Sequence, residues 1–100
     1  MKHTIEDAIK DLNNQLDVFY EGKRFVKHHQ VSNTNYVLVY YIKSTKSNTP
    51  DADYQFAQGN NLKAMRGYIM ALANIINLGG RLGVDRVEGL LCNSKQYILG

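Results

Sequence analysis

The sequence predicts an α+β domain in which a small antiparallel sheet packs against two helices, with a winged helix-turn-helix variant as the alternative topology. Three observations carry this expectation. Ile5, Ala8, Ile9, Leu12, Leu16 and Phe19 recur at intervals of three and four, as do Leu62, Met65, Ile69, Leu72 and Ile76, and each set forms one stripe on a helix. Between them lies Tyr36–Ile42, an unbroken run of β-favouring residues. A chain of 100 residues supports one hydrophobic core, so residues 1–100 are expected to form a single domain.

The first helix is expected over residues 4–20. Thr4 is suited to accept an orphan backbone N–H as the N-cap, and Glu6 and Asp7 in the first turn complement the positive end of the helix dipole. Gly22 is expected to take the left-handed conformation that closes this helix. Residues 24–31 and 35–43 then read as two strands of a hairpin joined by a polar turn of Ser and Asn. The second strand is apolar on both faces, as suits a central position, while the first is more polar and suits an edge. Residues 44–53, which contain the only proline, read as a loop, and residues 54–58 alternate as a short third strand.

Asn60 or Asn61 can cap a second helix over residues 62–78, which Gly79 and Gly80 are expected to end. Residues 84–91 are ambiguous. Asp85 and Glu88 suit a helix opening, yet Gly89 weakens a helix and a strand fits equally. Residues 96–99 read as a closing strand.

Composition narrows the class of protein. Apolar residues make up 44% and aromatic residues 10%, too hydrophobic for a disordered chain. Cys92 is the single cysteine, so no intramolecular disulfide can form, and a cytoplasmic location is expected. The polar, acidic start and the lack of a long apolar stretch predict neither export nor membrane insertion.

Charge is the most informative property. Between Gly22 and Pro50 stand Lys23, Arg24, Lys27, Lys43 and Lys46, with His28 and His29, and not one Asp or Glu. Residues 1–21 carry five acids against two bases, whereas residues 22–100 carry ten bases against four acids. Charge of one sign concentrated on one element steers an oppositely charged partner, of which nucleic-acid phosphate is the commonest. Double-stranded DNA is therefore the expected partner, with the lysines of the hairpin laid along phosphates like a wing.

Placing successive residues about 100° apart puts Lys63, Arg66, Asn74 and Asn77 on one flank of the second helix. Gly67 and Ala71 keep that surface low, so this flank is a candidate recognition helix. Arg81 and Arg86 extend the patch. A solvated helix face and an edge ribbon whose lysines discourage aggregation account for the same residues without a ligand.

Tyr36, Tyr40 and Tyr41, with Phe25 on the neighbouring strand, offer either a stacking surface for bases or core and dimer contacts. His28 and His29 point to opposite faces of a strand and cannot jointly hold a metal. Asp51 and Asp53 suit turn formation, Cys92 suits a buried apolar position, and the glycines of residues 78–83 follow a helix instead of opening one, so no nucleotide cradle is expected. No nucleophile, metal or cofactor motif is present, which points away from an enzyme. The expected role is a non-enzymatic DNA-binding accessory or regulatory protein. The alternative is a small protein-binding inhibitor or adaptor that uses its acidic first helix or its tyrosine-rich strand, and residues 36–42 also suit a homodimer interface.

Overall fold

The computed structural model describes residues 4–46, 48–92 and 97–99. The first helix, α1 (Ile5–Tyr20), starts in a capping box in which Thr4 Oγ1 accepts the Asp7 N–H at 3.2 Å and Asp7 Oδ2 accepts the Thr4 N–H at 3.3 Å. It stops at two successive left-handed residues, Glu21 (φ 53°) and Gly22 (φ 80°), one residue earlier than the glycine alone suggests.

Strands β1 (Arg24–Gln30), β2 (Tyr36–Ile42) and β3 (Ala52–Gly59) form an antiparallel meander, and β4 (Tyr97–Leu99) joins the outer side of β3 in parallel. The third strand is longer than expected and takes in Asp53, which sequence places in a loop. Gln96, the expected first residue of the closing strand, lies outside the described residues. β2 is central and β1 lies at an edge, as their polarity implies. Because β2 is paired on both sides, it has no free edge through which residues 36–42 could pair with a partner strand.

Both helices pack on one face of the sheet. That face presents Val26 from β1, Leu38 and Tyr40 from β2 and Phe56 and Ala57 from β3 to Ile5, Ile9, Leu12 and Leu16 of α1 and to the second helix. Adjacent Phe56 and Ala57 both point inward because the register slips between Leu38 and Val39, a bulge that inserts one extra residue into β3. At the β1 edge, the Asn13 side chain acts as a substitute strand: its Nδ2–H donates to Val26 O at 3.0 Å and its Oδ1 accepts the Val26 N–H at 2.7 Å. The outward backbone groups of this edge strand are thereby occupied at Val26.

The second helix, α2 (Leu62–Leu91), begins at Asn61, whose Oδ1 accepts the Ala64 N–H at 3.1 Å. It continues past the expected stop. Only Gly80 leaves helical geometry (φ 57°, ψ −130°), and the chain kinks there and resumes as helix through residues 84–91. Met65, Ile69, Leu72 and Ile76 before the kink, and Val84, Val87 and Leu91 after it, all reach the same core.

The hairpin is thus built into the sheet instead of projecting as a wing, and the winged-helix alternative does not describe this fold. At Gly67 the space where a side chain would stand is open to 4 Å, so no other element packs against it. Gly67→Ala should therefore stabilise the protein by about 0.5–1 kcal/mol through helix propensity alone. A thermal melt read by circular dichroism should move up by about 2–8 °C. A drop would mean that the position is covered.

Candidate nucleic-acid interface

Strand alternation sorts the two faces of the sheet. Odd-numbered residues of β1 and β2 point away from the helices, which brings Phe25, Lys27 and His29 beside Val37, Val39 and Tyr41 through the pairs Phe25↔Tyr41, Lys27↔Val39 and His29↔Val37. Asp53, Gln55 and Gln58 of β3 continue this face through the pairs Tyr41↔Asp53, Val39↔Gln55 and Val37↔Gln58. No described helix covers it.

Toward its Ile42 end the Phe25 and Tyr41 rings stack, with centroids 5.2 Å apart and planes 20° from parallel. Lys27 Nζ lies 5.4 Å and Lys43 Nζ 5.6 Å from the Phe25 ring centroid, so two ammonium groups flank the aromatic pair. His29 closes the row. Its Nε2 is 2.9 Å from the Tyr41 hydroxyl, and its ring meets the Tyr41 ring edge-on at 6.2 Å. Val37 and Val39 lie beneath these side chains and are 6% and 4% exposed, so the surface is a layer of rings and alkyl stems over an apolar floor. Asp53 is the one carboxylate on this face among the described strand residues.

In the helical layer, acidic residues are concentrated on α1, while α2 carries Lys63, Arg66, Arg81 and Arg86. Glu6, Asp7, Asp11, Asp17 and Glu21 are all exposed along or beside α1. The carboxylates of α1 thus lie on the layer opposite Lys27 and Lys43.

Of the residues singled out from sequence, Lys27 and Lys43 therefore join Phe25 and Tyr41, and Lys23 and Lys46 line an adjoining cleft. Lys63, Arg66, Asn74, Asn77, Arg81 and Arg86 lie on α2, in the helical layer, and do not join that surface. Lys63 and Arg66 instead share a shallow cleft with Glu6 at the start of α1, and Arg81 Nε approaches Asp85 Oδ1 at 3.6 Å one turn along the helix. The polar flank of α2 and the basic hairpin accordingly do not form one groove-reading surface. Tyr36 and Tyr40 also turn inward, Tyr40 being fully buried, so only Tyr41 of the expected tyrosine set is displayed.

Arg24 is withdrawn from the interface by a polar network at the end of α1. The Tyr20 hydroxyl donates to Glu88 Oε2 at 2.6 Å, Arg24 Nη1 pairs with the same oxygen, and the guanidinium stacks 4.2 Å from the Tyr20 ring centroid. Partial burial alone would push the Glu88 carboxyl up. The Tyr20 and Arg24 hydrogen bonds and the positive charge of Arg24 and Arg81 outweigh it and hold the pKa below the usual 4.5. Burial, together with Glu88, drives the Tyr20 hydroxyl up to about 12, so it remains a donor across the physiological range.

Because the folded pKa of Glu88 is depressed, its stabilising contribution is complete above about 4.5 and is lost as pH falls through the folded value. The melting temperature should fall on acidification below the ordinary carboxylate range, and Glu88→Gln should flatten that segment of a melting-temperature profile against pH. An unchanged profile would mean that the carboxylate is not engaged.

His28 faces the helices, its Nε2 3.3 Å from Glu6 Oε1, while His29 faces outward, the opposite orientation expected of adjacent strand residues. Burial and Glu88 raise the Cys92 thiol above its usual 9.0, which leaves it a poor nucleophile. Among the described residues no three His, Cys, Asp or Glu side chains converge to hold a metal, and no helix is long and apolar enough to cross a membrane.

Gln55 on the open face and Asn13 at the edge were not singled out by sequence, and His29 was named only within the basic span and as an excluded metal ligand. His29 and Gln55 are placed on the same face as Phe25 and Tyr41 once the registers are known, through the pairs His29↔Val37 and Val39↔Gln55. Comparison with protein-family models, with curated proteins and with solved structures gives no match.

Proposed function

We propose that the protein is a non-enzymatic, single-strand nucleic-acid-binding accessory protein that uses the open face of its sheet. The observation that carries this reading is the stacked Phe25–Tyr41 pair displayed on a helix-free face and flanked by Lys27 and Lys43. Rings presented this way stack on unpaired bases, and lysines beside them meet the phosphates that follow each base. A duplex hides its base faces and is read by an element that enters a groove, and α2 carries its polar flank on the other layer, away from this lysine row. His29 and Gln55 add hydrogen-bonding groups at the margin of the platform.

The test is fluorescence anisotropy with labelled oligothymidine, a ribonucleotide counterpart and a duplex hairpin across a salt series. Tighter binding of the single strand is expected, with log K falling against log salt at a slope of about −1 to −2, as suits about two phosphate contacts. Preference for the duplex would overturn the reading. Absence of binding to every nucleic acid at low salt would transfer the face to a protein partner or a second copy, which light scattering on the same sample would report.

A further inference from the structure

Beyond the aromatic platform, at the Ile42 end of the sheet, a cleft of about 470 Å³ opens between the turn after α1 and the β2–β3 loop. Three ammonium-bearing side chains line it from three separate segments: Lys23 from the turn, Lys43 from the end of β2 and Lys46 from the loop. The first two segments are locked together by the Lys43 N–H donating to Lys23 O at 2.8 Å. The loop is held in shape by the Ser44 N–H donating to Asp51 Oδ1 at 2.8 Å and by the Ser44 hydroxyl, which donates to Lys46 O at 3.0 Å and accepts the Lys46 N–H at 3.2 Å. Thr45 and Thr49 add hydroxyls to the wall.

Among the described residues none of the three lysines is ion-paired with a carboxylate, whereas Arg24, which also lines the cleft, is neutralised by Glu88. Three lysines without a carboxylate partner around one concave site give it a positive potential that favours an anion.

We infer that this cleft is a phosphate-monoester site that takes the terminal phosphate of the strand lying on the open face. Lys43 is the physical link, because it both lines the cleft and stands over the Phe25 ring. A strand whose end base stacks on Phe25 and Tyr41 places its terminal phosphate beside Lys43, Lys23 and Lys46. A monoester carries about −1.5 to −2 charge near pH 7, against −1 for a backbone diester, so three unpaired lysines favour a strand end over its interior. Charge-assisted hydrogen bonds from those ammonium groups supply the preference. The choice of a strand end as ligand rests on the single-strand reading, while the affinity of the cleft for phosphate does not.

The experiment compares internally labelled oligothymidine bearing a 5′-phosphate, a 3′-phosphate or two hydroxyl ends, with wild type and with the double variant Lys23→Ala, Lys46→Ala. In parallel, amide shifts are recorded by NMR on addition of inorganic phosphate. Wild type should bind one phosphorylated end about tenfold more tightly than the hydroxyl-ended strand. The variant, with Lys43 retained, should lose that gain while holding its affinity for the hydroxyl-ended strand within about threefold. The phosphate-induced shifts should centre on Lys43, Thr45 and Thr49 and vanish in the variant.

Equal affinity for all three strands would overturn the assignment and leave the single-strand reading intact. Phosphate shifts at these amides without binding of any strand would uphold the cleft as a phosphate site and overturn the single-strand reading, with the strand end as ligand. No response to strand or phosphate would overturn both.

Discussion

Gly83→Ala is expected to destabilise the protein by about 1–3 kcal/mol and to lower its melting temperature by on the order of 10 °C. A Cβ at residue 83 would stand 2.2 Å from the carbonyl oxygen of Ile75, 2.9 Å from its carbonyl carbon and 3.0 Å from Ile76 Cα. These are backbone atoms of the first half of α2 and cannot swing aside as a side-chain tip would. Relief requires the two halves of α2 to part at Gly80. That movement draws Val84, Val87 and Leu91, each at most 1% exposed, off the core they share with α1.

Gly80 tolerates the kink because its φ of 57° with ψ of −130° lies in a region that glycine enters without the Cβ clash. The paired test is Gly67→Ala in the same helix, which should raise the melting temperature. Opposite signs for one substitution type at two glycines would establish that close packing of the helix halves, and not helix propensity, governs residue 83. An unchanged melt for Gly83→Ala would show that the halves do not touch.

The aromatic pair should dominate binding. Stacking of a base on an aromatic side chain is worth about 1–3 kcal/mol, so Phe25→Ala or Tyr41→Ala should each weaken single-strand binding about tenfold or more. Both rings are half-buried on the outer face and cover Val37 and Val39, so alanine also uncovers part of the apolar floor. Phe25→Leu and Tyr41→Leu keep that cover while removing the π-face. The leucine variants should melt close to wild type and still bind weakly. Strand affinity equal to wild type in both would remove stacking from the account, whatever the alanine variants do. Tyr41→Phe separates the ring from its hydroxyl contact with His29, and it should retain most of the affinity.

Local features were legible in proportion to how local their physics is. The α1 stripe, the Thr4 cap, the central position of β2 and the opposed orientations of His28 and His29 all follow from spacing and alternation within short segments. Residues 84–91 could not be assigned the same way, because Gly89 and the preceding glycines weaken the helix signal. Burial of Val84, Val87 and Leu91 against α1 decides the matter. Nor could Arg24 be told from its lysine neighbours. Its partner Glu88 lies 64 residues away, and the Tyr20 ring that receives its guanidinium is brought there by the end of α1.

Sequence by itself determined an α+β domain with an acidic first helix and a basic hairpin, since periodicity and charge order are properties of neighbours along the chain. Only the tertiary structure decided which cations share a surface. The strand register sets Lys27 and Lys43 around Phe25 and Tyr41, packing of α2 on the far face removes Lys63, Arg66, Asn74 and Asn77 from them, and an ion pair with Glu88 occupies Arg24. Proximity of that kind depends on how layers stack and strands align, which the spacing of residues along one segment does not encode.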